Sequence, residues 1–155
     1  MNKVILKNLA LLGLLAGVVF GVLGAIPYVG GFALFAMFFL SAPVVMLLLI
    51  MAGKLDLTTP KDSIINGALT GFFANITFSF AYSIVVALLY ITIKFTTNPF
   101  LTAMIINSPV WLLIVIILFI GVLTATTNAF SGFLTHYIIN LIRDLYEKKH
   151  SGEEQ

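Results

Sequence analysis

Eight hydroxyl and amide side chains are the residues of this chain whose types and spacing could do chemistry. They recur at helical spacing in two long uncharged segments, and they are Thr70, Asn75, Ser79, Ser83, Thr124, Thr127, Asn128 and Ser131. Such groups could bond one helix to another, or they could line a wet path for a small solute. Ser and Thr hydroxyls can also donate to a carbonyl one turn earlier in their own helix. Helix packing is therefore the favoured interpretation, and a polar path is the alternative.

His136 is the one histidine within the long uncharged stretches, and it is followed by Tyr137, Asn140 and Arg143. A single histidine lacks a second ligand for a metal, and the spacing places neither a nucleophile nor an orienting partner beside it. The chain has no cysteine, which removes disulfides and thiolate sites. We expect no catalytic residue, no cofactor, no metal site and no enzymatic activity. His136 is expected at a membrane interface, facing lipid head groups.

The polar residues lie in a chain that is 61% hydrophobic and 9% charged, whereas soluble domains are about one quarter charged. Residues 8–53, 63–93 and 95–142 contain no Asp, Glu, Lys or Arg. Lipid is the expected surrounding, and the net charge of +2 reflects lysines that flank membrane segments rather than a nucleic-acid-binding face. Proton relays and voltage sensors usually carry ionised residues inside their spans, so proton-coupled transport has no candidate carrier here.

The uncharged stretches predict an all-α membrane protein with four spans in a single domain, residues 1–150. One span needs about 20 apolar residues, so the first stretch must turn, and Pro27 with Gly30 and Gly31 supplies the turn. A short outer interfacial helix should begin at Asn98-Pro99, with a re-entrant loop as the alternative. Span 4 should extend into the cytoplasm, ahead of a disordered tail at 151–155. The predicted spans are 9–26, 32–52, 63–93 and 109–142.

The basic residues predict the orientation, because lysine and arginine are enriched on the cytoplasmic side of membrane proteins. With four spans, seven basic residues fall on one side: Lys3, Lys7, Lys54, Lys61, Arg143, Lys148 and Lys149. Lys94 alone falls on the other side. We therefore expect a multi-pass protein of a prokaryotic inner membrane with both termini cytoplasmic. A cleaved signal peptide over the first span is the alternative, and it is less favoured because a second full-length span follows one tight turn.

Glycines at four-residue spacing indicate faces where helices can approach closely. In lipid, helix association relies on close packing, which small residues permit. We expect these glycines to pack helices within the bundle, with a homo-oligomer or another membrane protein as alternative partners. They are Gly13, Gly17, Gly21 and Gly24 in span 1, Gly67 and Gly71 in span 3, and Gly121 in span 4.

Two asparagines at similar predicted depth indicate contact between spans 3 and 4. Asn75 lies 14 residues after Lys61 (75 − 61), and Asn128 lies 15 residues before Arg143 (143 − 128). At about 1.5 Å per residue, both are roughly 21 to 23 Å from the cytoplasmic charges. We predict that the two amides face each other.

Pro43 lies in the middle of span 2 and should kink it, because proline cannot donate to the carbonyl of Phe39. Ser41 could help to resolve that geometry.

Taken together, these patterns predict a non-enzymatic structural or accessory membrane protein that packs or oligomerises through its glycines. The main alternative is a passive channel or permease for a small neutral or weakly charged solute, lined by the polar residues of spans 3 and 4. Holin-like lesion formation is a third possibility.

Overall fold

The computed structural model describes residues 3–56 and 59–151, and the regular secondary structure within these ranges is helical. Four helical stretches are long and apolar enough to cross a membrane, namely Lys3–Gly24, Gly30–Met51, Pro60–Ile93 and Val110–Lys149. The predicted all-α architecture with four candidate spans is therefore confirmed. The elements are α1 (Lys3–Gly24), α2 (Gly30–Phe35), a π-helical segment (Ala36–Leu40), α3 (Ser41–Met51), α4 (Pro60–Ile93), α5 (Pro99–Asn107) and α6 (Val110–Ser151).

Capping side chains fix where two of the helices begin. The Thr59 hydroxyl accepts the backbone N–H of Asp62 at 3.1 Å, so α4 begins three residues earlier than the predicted Ser63. Asn98 caps α5 in the same way, by accepting the N–H of Leu101 at 3.2 Å. The short helix predicted from Asn98-Pro99 is thus present. At the other end of the chain, α6 continues to residue 151, and the remainder of the predicted disordered tail lies outside the described residues.

The turn between α1 and α2 differs in detail from its prediction. The glycine pair was expected to supply the positive φ, but Gly30 and Gly31 belong to α2 and the positive φ of 67° is at Tyr28. Gly30 is required for a different reason: a Cβ there would lie 2.5 Å from the carbonyl oxygen of Gly24. The hydroxyl of Thr97 donates to the Ala25 carbonyl at 2.8 Å, which ties the segment between α4 and α5 to this turn.

Helix α4 is the central element, because it packs along α1 on one side and α6 on another. Gly13, Gly17 and Gly21 of α1 meet progressively later residues of α4, so these two helices run parallel. Gly67 and Gly71 of α4 meet progressively earlier residues of α6, so that pair runs antiparallel. The N-terminal part of α1 also packs on α3. The buried apolar cluster there consists of Leu9, Ala42, Val45, Met46, Leu49 and Leu55.

Candidate functional site

The second candidate span is interrupted at its centre by the π-helical segment. This segment ends at Leu40, and Ser41 then begins α3 two residues before Pro43. Proline has no N–H to donate, and a π turn carries an extra residue, so backbone groups here lose their regular helical partners. In a membrane-spanning helix those groups need other partners, because lipid cannot supply them.

The side chain of Asn128, from α6, supplies these partners. Its Oδ1 accepts the backbone N–H of Ala42 at 2.8 Å and lies 2.8 Å from the Ser41 hydroxyl, which donates to it. Its Nδ2 donates toward the carbonyls of Met37, at 3.1 Å, and Phe38, at 2.9 Å. Asn128 is fully buried. We call this arrangement the Asn128 clamp, since one amide joins α6 to both sides of the helix break.

The predicted pairing of Asn75 with Asn128 is wrong. The Nδ2 of Asn75 donates to the carbonyl of Ile117 on α6 at 3.0 Å, whereas Asn128 is engaged with the second span. A Cβ on Gly71 would lie 2.6 Å from the Cβ of Asn128, so Asn128 is level with Gly71 rather than with Asn75. The depth calculation failed because it set Lys61 and Arg143 at equal depth, although α6 continues without interruption past Arg143.

The glycines of α1 lie against α4 in the same chain. A Cβ on Gly17 would overlap the carbonyl oxygen of Ala74 and the hydroxyl of Thr77. The same hydroxyl donates across the interface to the Leu14 carbonyl at 2.8 Å. Gly13, Gly21 and Gly24 lie on the same face of α1. A Cβ on Gly13 would lie 3.1 Å from the carbonyl oxygen of Thr70, and one on Gly21 would lie 2.6 Å from the carbonyl oxygen of Phe78. A Cβ on Gly24 would lie 3.2 Å from the Phe78 ring.

A second glycine contact joins α4 to α6. A Cβ on Gly67 would overlap the carbonyl oxygen of Asn128, and one on Gly71 would lie 2.7 Å from the carbonyl oxygen of Thr124. A Cβ on Gly132 would lie 2.5 Å from the carbonyl oxygen of Ser63. Gly121 is less tight, at 3.1 Å from the Phe72 ring. Together with the Asn128 clamp, these contacts bring α4 and α6 into direct contact around Gly67, Gly71, Asn128 and Gly132. We call this part of the bundle the sealed half.

Several of the predicted polar-path residues satisfy their hydroxyl groups within their own helices. Thr70 donates to the Asn66 carbonyl at 2.8 Å, and Thr124 donates to the Ile120 carbonyl at 2.8 Å. The Thr127 hydroxyl lies 3.1 Å from the Thr124 carbonyl. Ser131 is buried in the sealed half. The three threonine side chains therefore need no solute to complete their hydrogen bonds.

The remaining three predicted polar residues line a cavity of about 520 Å³, which we call the chamber. Asn75, Ser79 and Ser83 follow one another at four-residue spacing along the α4 wall. Residues of α5 and of the α1–α2 turn also line the chamber. Most of the other lining residues are apolar, including Leu101, Met104, Leu113, Ile117, Ile120 and Leu123.

Asn75, which lines the chamber, carries a polar atom that has no partner among the described residues. The Oδ1 of Asn75 is buried and accepts no hydrogen bond from the described residues, although Nδ2 of the same amide is bonded to α6. Sequence spacing identified Asn75, Ser79 and Ser83, but it missed Thr97 and Asn98, which also line the chamber. Their position depends on how the segment after α4 folds back over the bundle, and no spacing rule encodes that.

His136 is buried rather than turned toward head groups, so its predicted placement is wrong. It is 6% exposed, and its Nε2 lies 3.0 Å from the Nδ2 of Asn140. The ring meets Tyr137 edge to face, with centroids 5.6 Å apart. Its Nδ1 is buried without a partner among the described residues. Within 3–56 and 59–151, no group of three His, Cys, Asp or Glu side chains is arranged to hold a metal ion.

The polar residues thus divide between two environments, a sealed half around Asn128 and a chamber beside Asn75. The partners of Asn128 on the second span were not predicted, although Pro43 marks the place where a helix needs them.

Comparison of the chain with protein-family models, curated proteins and solved structures finds no match. Its function must therefore be inferred from its own geometry.

Proposed function

We propose that this chain is a non-enzymatic structural or accessory component of a prokaryotic inner membrane, with both termini on the cytoplasmic side. The basic residues support this orientation, because seven of the eight fall on one side of a four-span arrangement. In this orientation the sealed half, which is nearer Lys61, lies toward the cytoplasm. The chamber and α5 then lie toward the outer face.

The observation that carries the proposal is the Asn128 clamp within the sealed half. It joins α6 to the broken second span through a fully buried amide, and the neighbouring glycines bring α4 and α6 into backbone contact. Ionisable residues that couple transport to protons or ions are absent from the long uncharged stretches, apart from His136. A fixed inner half whose uncharged stretches contain one histidine and no Asp, Glu, Lys or Arg suits a scaffold better than a pump.

The glycine contacts also bear on the partners of such a component. All seven predicted packing glycines lie against other helices of the same chain. A homo-oligomer through those faces would require the bundle to open first. We therefore propose that the glycines serve the fold, and that another membrane protein would bind through exposed apolar side chains in the lipid bilayer.

Reconstitution into liposomes tests this proposal. We expect glycerol and urea to equilibrate no faster than in protein-free liposomes of the same lipid composition. In membranes, chemical crosslinking followed by purification should recover a defined heterologous membrane protein. Selective solute flux together with an absence of any crosslinked partner would contradict the accessory role.

A passive channel or permease is the second candidate, and it is favoured by the polar wall of the chamber. Asn75, Ser79 and Ser83 would offer hydrogen bonds to a small neutral solute entering from one end. Passage to the other side would require α4 and α6 to separate at Gly67 and Gly71. The channel predicts solute flux that Ser79→Leu abolishes, whereas Thr126→Leu, at an exposed site of α6, should leave it unchanged.

A further inference from the structure

We propose that the chamber is a binding site for a neutral, hydroxyl-bearing lipid of the diacylglycerol type, which enters sideways from the bilayer. This inference does not depend on the accessory role, since either a scaffold or a permease could hold such a lipid. It depends on the size of the chamber, its charge, its opening and the unpartnered oxygen of Asn75.

The size and the lining of the chamber suit an apolar molecule with few polar groups. Its volume of about 520 Å³ lies within the range of roughly 300 to 1,000 Å³ that is usual for ligand sites. Apolar side chains, ten of them from α5 and α6, form most of its surface. Among the described residues, those that line it include no Asp, Glu, Lys or Arg. A phosphate group would thus lose its hydration without gaining a cationic partner, which favours a neutral ligand over a phospholipid.

The opening of the chamber lies on the side of the bundle. Leu34 of α2, and Ile114 and Leu123 of α6, all line the chamber and are 40%, 49% and 47% exposed, respectively. These three residues belong to candidate spans, so their exposed surface faces acyl chains when the protein is in a membrane. Helix α6 packs on the second span at the π-helical segment. This contact bounds the opening on the side nearer the sealed half. A molecule from the bilayer can therefore reach the chamber without crossing water.

The α4 wall selects for a hydroxyl group. No donor from the part of the chain that the structure describes reaches the Oδ1 of Asn75, and a buried acceptor of this kind is stabilised when a ligand supplies a donor. Ser79 and Ser83 continue the polar line for eight residues (83 − 75), which is about 12 Å along the helix. A hydroxyl both donates and accepts, so it can pair with the amide oxygen and with either serine. An ester carbonyl of the same lipid could accept from a serine.

Photocrosslinking in vesicles tests the proposal on the full chain. The probe is a diacylglycerol with a diazirine in one acyl chain, at low concentration in phosphatidylcholine vesicles. We expect saturable labelling at α6 residues that line the chamber, such as Leu113 and Ile117. Ser79→Leu should reduce the saturable labelling roughly tenfold, because it fills the polar wall and removes a hydrogen bond. Thr126→Leu, an exposed position on α6, should not change it.

A second variant and two competitors keep the test decisive. Leu101→Trp fills the chamber from α5 without altering α4, so it should abolish labelling even if Ser79→Leu fails to fold. Unlabelled dioleoylglycerol should compete, and dioleoylphosphatidylglycerol should not. Labelling that survives Leu101→Trp in a folded protein would overturn the site, and equal competition by both lipids would overturn the neutral class. Selective solute flux together with an absence of any crosslinked partner would contradict the accessory role while leaving this result unaffected.

Discussion

The Asn128 side chain is inserted into one backbone hydrogen bond of the second span. In a regular helix the N–H of Ala42 would donate to the carbonyl of Phe38, four residues earlier. Instead, the Ala42 N–H donates to Asn128 Oδ1 at 2.8 Å, and the Phe38 carbonyl accepts from Asn128 Nδ2 at 2.9 Å. The amide thus takes both places in the interrupted bond, so the Ala42 N–H and the Phe38 carbonyl both keep a partner while α6 is fixed against the break.

Replacing Asn128 should therefore cost more stability than replacing Asn75. Asn128→Leu leaves the Ala42 N–H and the Phe38 carbonyl without partners, and we expect the free energy of unfolding to fall by about 2 kcal/mol. Asn75→Leu loses one bond, to Ile117, and also removes an oxygen that has no partner. It should cost about 0.6 kcal/mol. Denaturant unfolding in detergent micelles, followed by circular dichroism, measures both.

Thr126→Leu is the matched control for that comparison, because Thr126 is exposed on α6 and bonds only to its own helix. It should leave stability unchanged. A larger loss for Asn75→Leu than for Asn128→Leu would show that the clamp does not hold the second span.

Pro43 and Asn128 should be energetically coupled. Proline prevents regular helical pairing at Phe39 and helps to keep the break open, so Pro43→Ala should allow the second span to close into a regular helix once the clamp is absent. The loss caused by Asn128→Leu should then be smaller in the Pro43→Ala background. A double-mutant cycle of unfolding free energies should give a coupling of about 1 kcal/mol. Additive effects of the two substitutions would contradict a shared role at the break.

Sequence reasoning succeeded where one segment carries its own signal. The four candidate spans follow from uncharged length, and α5 follows from Asn98-Pro99, which offers a cap and a first-turn proline. It failed where two segments had to be aligned. The predicted contact between Asn75 and Asn128 needed the register of α4 against α6, and flanking charges fix helix depth only to within a few turns, because α6 extends beyond Arg143.

The candidate site shows the same division. Asn75, Ser79 and Ser83 were identified by spacing, since a four-residue repeat places them on one helix face. Whether that face meets another helix or a cavity depends on α5 and the α1–α2 turn, which Thr97 ties together through the Ala25 carbonyl. That contact joins residues 72 positions apart, and nothing in the local sequence of either segment signals it.

The glycine contacts predict a loss of stability for one glycine substitution and no change for another. Gly17→Ala would bring a Cβ into the Ala74 carbonyl and the Thr77 hydroxyl, so α1 must move away from α4. We expect a loss of about 1 to 3 kcal/mol in unfolding free energy. At Gly31 nothing lies within 4 Å of an added Cβ, and Gly31→Ala should leave stability unchanged. Equal thermal unfolding midpoints for the two variants in detergent would contradict the α1–α4 packing.

The proposed orientation predicts which loops can be labelled from outside an intact cell. The chain has no cysteine, so single cysteines can be introduced without a background. Asp56 lies between α3 and α4 and Asn107 ends α5; both are exposed, and neither belongs to the basic residues that set the orientation. A membrane-impermeant maleimide should label Asn107→Cys and not Asp56→Cys, while permeabilised membranes should give labelling of both. The reverse pattern would place the chamber on the cytoplasmic side. Labelling of both in intact cells would rule out a single orientation.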